Sequence, residues 1–167
     1  MKTNNLINVS FLGCGRISDK HFDAIKSLAN YGVKLKSACD IQANKLEKFS
    51  STDDIYTSTN LKDAGLLSGV DLAVIASESG LHYQHAKFFL ENNIDVLIEK
   101  PVTLKLTDAR DLLNIASSYG RKIYVVKQNR FNTAVQFARA KVDEGKLGKL
   151  NIGTVRVRWC RTQKYYD

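Results

Sequence analysis

Gly13, Gly15 and Ser18 stand in the stretch FLGCGRISDKH, where an apolar run gives way to a helical one. The spacing fits a G-x-G-x-x-G/A phosphate cradle except at its last position. Gly13 permits the tight turn and Gly15 lets the backbone approach a pyrophosphate. The amides around Arg16 and Ile17, at the start of the following helix, point at the anion. Ser18 is one small side chain larger than a third glycine, so helix and strand are expected to pack slightly further apart. Asp40 ends the second apolar run 22 residues after Ser18, where an acid hydrogen-bonds the adenine ribose hydroxyls. The same residue also fits an N-cap for a helix starting at Gln42. A carboxylate repels a 2′-phosphate and no arginine follows it nearby, so the expected cofactor is NAD rather than NADP.

Lys100 is the residue whose type suits proton transfer. A partly desolvated ammonium beside a cationic nicotinamide releases its proton more readily, and the amine then takes a hydroxyl proton as hydride leaves the substrate carbon. Residue type alone also allows a strand-end lysine that is simply solvated. Glu99 before it reads either as a ribose ligand or as a surface acid. Gln128, Asn129 and Arg130 face the nicotinamide or substrate end of a site, or cap the next helix. His21 and His85 read as structural.

These residues need elements that bring them together, and the pattern supplies them. Strand-length apolar runs at 7–13, 33–40, 55–56, 71–77, 95–100 and 122–128 alternate with helical segments. The helices are read over 16–30, 42–49, 63–67, 80–92, 107–119 and 131–144. Strands separated regularly by helices predict an α/β fold, a doubly wound parallel sheet, over residues 1–145. Ligands then bind at the carboxyl ends of the strands, where the segments 76–86, 99–104 and 127–132 fall. Beyond the turn-rich GKLGKL, residues 151–167 read as one long alternating strand. Val155 and Val157 share one face of it and Arg156 and Arg158 the other. Residues 146–167 are therefore expected to begin a second, incomplete domain. Arg158, Arg161, Gln163, Tyr165 and Tyr166 lie on this strand. Its arginines suit a diphosphate or carboxylate, and a solvated strand face accounts for them equally.

Composition narrows the classes. With 44% apolar and 25% charged residues the chain has the balance of a globular domain. It holds no apolar run near the ~20 residues that span a bilayer, and no signal peptide is read at its start, so a cytoplasmic protein without a membrane partner is expected. The net charge of +8 is concentrated in the tail: residues 146–167 carry six Lys/Arg against one acid. A groove-tracking nucleic-acid binder normally shows a basic face on its folded body, so no nucleic-acid partner is expected. Cys14, Cys39 and Cys160 are odd in number and lack ligand spacing, so neither a disulfide framework nor a metal site is indicated. Cys14 and Cys39 read as small buried thiols at neighbouring strand ends.

With the fingerprint, the segments ASESGLHYQHA, EKPVTL and KQNRFN resemble the Gfo/Idh/MocA family of NAD(P)-dependent sugar oxidoreductases. The wording ESGLH, KQNR and RWCRTQKYYD is most similar to the subgroup that oxidises the 3-hydroxyl of UDP-N-acetyl-glucosaminuronic acid for surface polysaccharide synthesis. The resemblance implies that Lys100 is the catalytic base and also touches substrate, that Pro101 follows a cis bond, and that Ser77 and His82 line the cofactor site. By itself His82 also reads as an ordinary helix-start histidine. With Gly13, Gly15, Arg16, Ile17, Asp40, Glu99, Lys100 and Gln128 these are the expected NAD ligands; Asn129, Arg130, Arg158, Gln163 and Tyr166 are the further expected sugar ligands. Family members are longer, with a second α+β domain that supports a homo-oligomer, so this chain alone is expected to bind NAD and turn over poorly. The contrasting expectation is a non-catalytic NAD(H) sensor or scaffold, which would keep its function without Lys100.

Overall fold

The computed structural model describes residues 6–50, 54–67 and 69–163. Six strands form one sheet: β1 (Ile7–Leu12), β2 (Val33–Cys39), β3 (Tyr56–Ser58), β4 (Leu72–Ile75), β5 (Asp95–Ile98) and β6 (Ile123–Val125). Their order is β3-β2-β1-β4-β5-β6, and every neighbouring pair is parallel. The chain leaves β1 in one direction for β2 and β3, then returns to β1's other side for β4. That reversal opens a crevice between the loops after β1 and β4.

Register places the chemistry. Leu12 is level with Cys39 on one side and Ile75 on the other, and Ile75 is level with Ile98. The residues that follow these four, Gly13, Asp40, Ala76 and Glu99, therefore leave the sheet along one carboxyl edge. The expected segments end up together because four strands stop at the same level.

Alternation along the strands fills both faces. Val9, Phe11 and Val74 point into one core with Ile25, Leu46 and Phe49, while Leu12, Ala73, Ile75, Val96 and Ile98 point into the other. The first core seats α1 (Ser18–Ser27) and α2 (Glu47–Ser50) through edge-to-face contacts, Phe22 to Phe49 at 5.3 Å and Phe11 to Phe49 at 6.0 Å. The second holds α3 (Leu61–Gly65), α4 (His82–Glu91) and α5 (Leu106–Ser118). Phe89 and Phe49 are fully buried, each a contribution of about 2 kcal/mol. No helix among the described residues is long and apolar enough to cross a membrane.

The chain divides into two compact units between Val126 and Lys127, earlier than the boundary at 145/146 expected from the sequence. The second unit has a turn over Gln128–Phe131 and α6 (Thr133–Asp143), whose cap Asn132 accepts from the Ala134 amide at 3.0 Å. The strand expected over 151–167 does not form where the structure describes that segment: residues 151–162 form no strand and are exposed. Alternation makes a segment able to join a sheet, but a strand exists only where another edge takes up its amides and carbonyls, and nothing among the described residues pairs with this one. Residues 164–167, with Tyr165 and Tyr166, lie outside the described residues.

Candidate functional site

The carboxyl edge holds a cavity of about 370 Å³, lined among others by Gly13, Gly15, Asp40, Gln42, Ser77 and His85. Gly13 has a φ of +91°, and a Cβ built on it would lie 2.4 Å from the Ser77 nitrogen. Only glycine can make this turn and let the loops after β1 and β4 touch. Gly15 differs: a Cβ there meets nothing within 4 Å. The protein leaves that space open, as a ligand lying against the backbone requires.

Asp40 is buried and occupied on both oxygens. Oδ2 accepts the Cys14 amide at 2.8 Å and Oδ1 the Gln42 amide at 2.9 Å. The two sequence readings, ribose acceptor and local cap, are thus compatible, because each carboxylate oxygen has capacity for a further hydrogen bond and Asp40 lines the cavity. The same carboxylate acts on the thiols. Burial first, then Asp40, pushes Cys14 up to about 12 and Cys39 up to about 11. Both remain thiols, and Cys14 Sγ donates to the Cys39 carbonyl at 3.5 Å.

Ser18 is fully buried at the start of α1. Its hydroxyl donates to the Gly15 carbonyl at 2.7 Å, and Lys48 Nζ donates to that hydroxyl at 2.7 Å and pairs with Asp19. The side chain that departs from the fingerprint therefore ties the cradle to α2. Arg16 and Ile17 are exposed in the turn leading into α1.

Across the crevice, Ser77 Oγ lies 2.9 Å from His85 Nδ1. Burial, and then His82, lowers the His85 pKa and favours its neutral ring. His82 is itself fully buried, with Nδ1 2.7 Å from the Pro101 carbonyl and Nε2 3.0 Å from the Ser77 carbonyl. It braces the loops after β4 and β5 and is not among the cavity-lining residues, whereas His85 is. Glu99 is buried, its Oε1 2.9 Å from His21 Nε2 and its Oε2 accepting the Lys100 amide at 3.2 Å. Lys100 is exposed, and the Lys100–Pro101 bond is cis. The described residues around Lys100 therefore leave it in water.

The structure thus gathers Gly13, Gly15, Asp40 and Ser77 around one cavity, with His82 bonded to the Ser77 carbonyl on its rim; Glu99 and Lys100 follow β5 on the same carboxyl edge and are not among the lining residues. Gln128, Asn129, Arg130, Arg158 and Gln163 belong to the second compact unit and are exposed; Tyr166 lies outside the described residues. Sequence reasoning did not find His85, the His21–Glu99 pair or Lys48. The one local signal was the spacing of three between Ser18 and His21, which puts both on one face of a helix. Among the described residues no group of three His, Cys, Asp or Glu is placed to hold a metal ion.

A parallel sheet in this order, a glycine cradle opening α1 and an acid closing β2 define a dinucleotide-binding domain of the Rossmann type. Residues 7–127 match the model of the Gfo/Idh/MocA oxidoreductase family, NAD-binding Rossmann fold. The chain belongs to that family, and NAD is its cofactor. Among solved structures it is similar to the WlbA dehydrogenase of Chromobacterium violaceum in complex with NADH and UDP-GlcNAcA, at 29% identity and a TM-score of 0.92, covering 98% of this chain and 47% of that one. It is also similar to the Bordetella pertussis WlbA dehydrogenase with the same two ligands, at 30% identity and a TM-score of 0.90, covering 96% and 46%. The D-glucoside 3-dehydrogenase of Escherichia coli (strain K12) is 25% identical over 158 residues, 92% of this chain and 44% of that protein. The chain thus spans less than half the length of these relatives.

Proposed function

We propose that the protein carrying this chain oxidises a hydroxyl of a sugar or nucleotide sugar with NAD, the 3-hydroxyl of UDP-N-acetyl-glucosaminuronic acid being the leading substrate, in cytoplasmic synthesis of surface polysaccharide. The observation that carries the reading is the Glu99–Lys100–Pro101 turn, which leaves β5 level with the glycine cradle and the Ser77 loop. The likeness to two dehydrogenases crystallised with NADH and UDP-GlcNAcA supports the choice of substrate.

NAD supplies the hydride acceptor. Gly13, Gly15 and the first turn of α1 hold its phosphates, and Asp40 accepts from the adenine ribose. Ser77 offers a hydroxyl on the facing loop. Lys100 Nζ, acting as general base, takes the hydroxyl proton while the carbon loses hydride and the C–O bond becomes a carbonyl. Holding the base and hydride acceptor in fixed geometry removes much of the entropic cost of such a step. Gln128 is assigned to the cofactor, and Asn129 and Arg130, with Arg158, Gln163 and Tyr166, to the sugar side.

The test is titration with NAD and with NADP, with and without UDP-N-acetyl-glucosaminuronic acid, together with turnover of that sugar by the wild type and Lys100→Ala. NAD binding above NADP, and turnover lost in Lys100→Ala, is the expected result. Preserved turnover in that variant overturns the role of Lys100, and absence of dinucleotide binding by folded protein overturns the whole reading.

A further inference from the structure

We propose that His21 is a positioning residue for Lys100, coupling the phosphate cradle to the base; this rests on the reading of Lys100 as the base. His21 lies on α1, three residues after Ser18, which starts that helix at the cradle. Its Nε2 reaches across to Glu99 Oε1 at 2.9 Å, and the other oxygen of the same carboxylate accepts the Lys100 amide at 3.2 Å. The side chains are 14% and 9% exposed, so water does not compete effectively for either end. A carboxylate only accepts, so the ring carries its hydrogen on Nε2. Phe11 sets the plane of that ring from the side, edge to face at 6.4 Å.

The consequence follows from the cost of an unpaired buried charge. Without His21 the Glu99 carboxylate loses its only side-chain donor among the described contacts and must turn toward water. It then releases the Lys100 amide, and the peptide that aims the Lys100 stem moves with it. The helix whose first turn receives the phosphates and the turn that carries the base are therefore one braced piece. The Pro101 carbonyl is held separately by His82, so Glu99 is the movable half of the brace. His21 touches neither cofactor nor substrate in this scheme; it acts through Glu99.

The experiment compares His21→Leu, His21→Gln, His21→Asn and Lys100→Ala in the protein carrying this chain. It reads NAD affinity by calorimetry, turnover of UDP-N-acetyl-glucosaminuronic acid, and hydrogen exchange at the Lys100 amide. His21→Leu is expected to keep its NAD affinity within about twofold while kcat falls about tenfold or more, since a displacement of about 1 Å costs up to 10²-fold. The Lys100 amide should exchange faster in that variant. The glutamine amide nitrogen matches the reach of the lost Nε2, so His21→Gln should recover most of both readouts, and the shorter asparagine should not. If His21→Leu fails to fold, the Gln/Asn pair carries the same comparison. Unchanged kcat and exchange, or a loss of stability with full kcat per folded molecule, overturns the proposal. Activity retained in Lys100→Ala instead overturns the base, while the exchange rates still report on the His21 brace independently.

Discussion

The Ser77 hydroxyl and the His85 imidazole meet at 2.9 Å inside the cavity that also exposes Gly13 and Asp40. Burial lowers the His85 pKa, and His82 adds to the shift. A histidine with a depressed folded-state pKa binds fewer protons in the folded than in the unfolded chain over the interval below the ordinary value of about 6.5. Stability gained through this group is complete above that value and declines as pH falls toward the folded-state pKa. His85→Asn, whose amide matches the reach of Nδ1, keeps a hydrogen-bonding partner for Ser77 and removes the titration. Denaturant unfolding from pH 7.5 to 5 should show a shallower loss of stability in the variant than in the wild type. Equal slopes would mean that His85 does not titrate differently in the folded chain.

The two cradle glycines should separate folding from binding. Gly13→Ala forces a left-handed φ on a residue with a Cβ and drives that atom into the Ala76–Ser77 backbone at 2.4–2.6 Å. A cost of about 3 kcal/mol is expected from strain and overpacking together. Gly15→Ala meets no protein atom, so its melting temperature should stay near that of the wild type. Its NAD affinity should fall about tenfold, as a methyl group displaces a closely bound pyrophosphate by about 1–2 kcal/mol. Melting curves and calorimetry on both variants decide it. A Gly15→Ala that binds NAD normally would place the phosphates elsewhere.

Asp40→Asn tests the residue that serves fold and ligand together. Each carboxylate oxygen accepts a backbone amide, from Cys14 and from Gln42. An asparagine offers one acceptor and one NH2, so one amide must face another donor. Leaving a buried N–H unsatisfied costs about 1–3 kcal/mol, which thermal unfolding will register. Loss of the charge should also weaken NAD binding and narrow its advantage over NADP, because the repulsion against a 2′-phosphate is gone. An unaltered NAD to NADP ratio would contradict the assignment of Asp40 to the ribose.

Much of this arrangement was legible because it depends on short-range pattern. Strand–helix alternation predicted the sheet, and Gly13, Gly15 and Asp40 announced the cavity through their spacing. The braces were not legible, since they join distant residues: His21 meets Glu99 78 positions later, and Lys48 meets Ser18 30 positions earlier. Local phase was another limit. His82 and His85 share the start of α4, and which of them faces the cavity is set by how the Ser79–Leu81 turn delivers the helix, a rotation that periodicity does not encode. The segment 151–162 failed for the opposite reason, a strand pattern without an edge to pair with.

Placing the third glycine of the fingerprint at position 18 should harm the cradle. The Gly15 carbonyl accepts the Ser18 amide at 3.1 Å and the Ser18 hydroxyl at 2.7 Å, and Lys48 Nζ stands 3.5 Å away. The peptide is planar and trans, so fixing this carbonyl toward Ser18 and Lys48 points the Arg16 amide to the opposite side. That is the orientation an anion at the helix start requires. Ser18→Gly removes the hydroxyl that both donates to Gly15 and accepts from Lys48, and Lys48→Met removes the ammonium that holds the hydroxyl in place. Each variant should weaken NAD binding by about five- to thirtyfold, as expected for losing one or two hydrogen bonds of about 1 kcal/mol. Their effects should not add, because both act on one clasp. Adenosine, which carries no phosphate, should bind all four proteins alike. Calorimetric titration of wild type, both single variants and the double variant with NAD and with adenosine tests this. Tighter NAD binding by Ser18→Gly would show that the serine only crowds the helix against the strand.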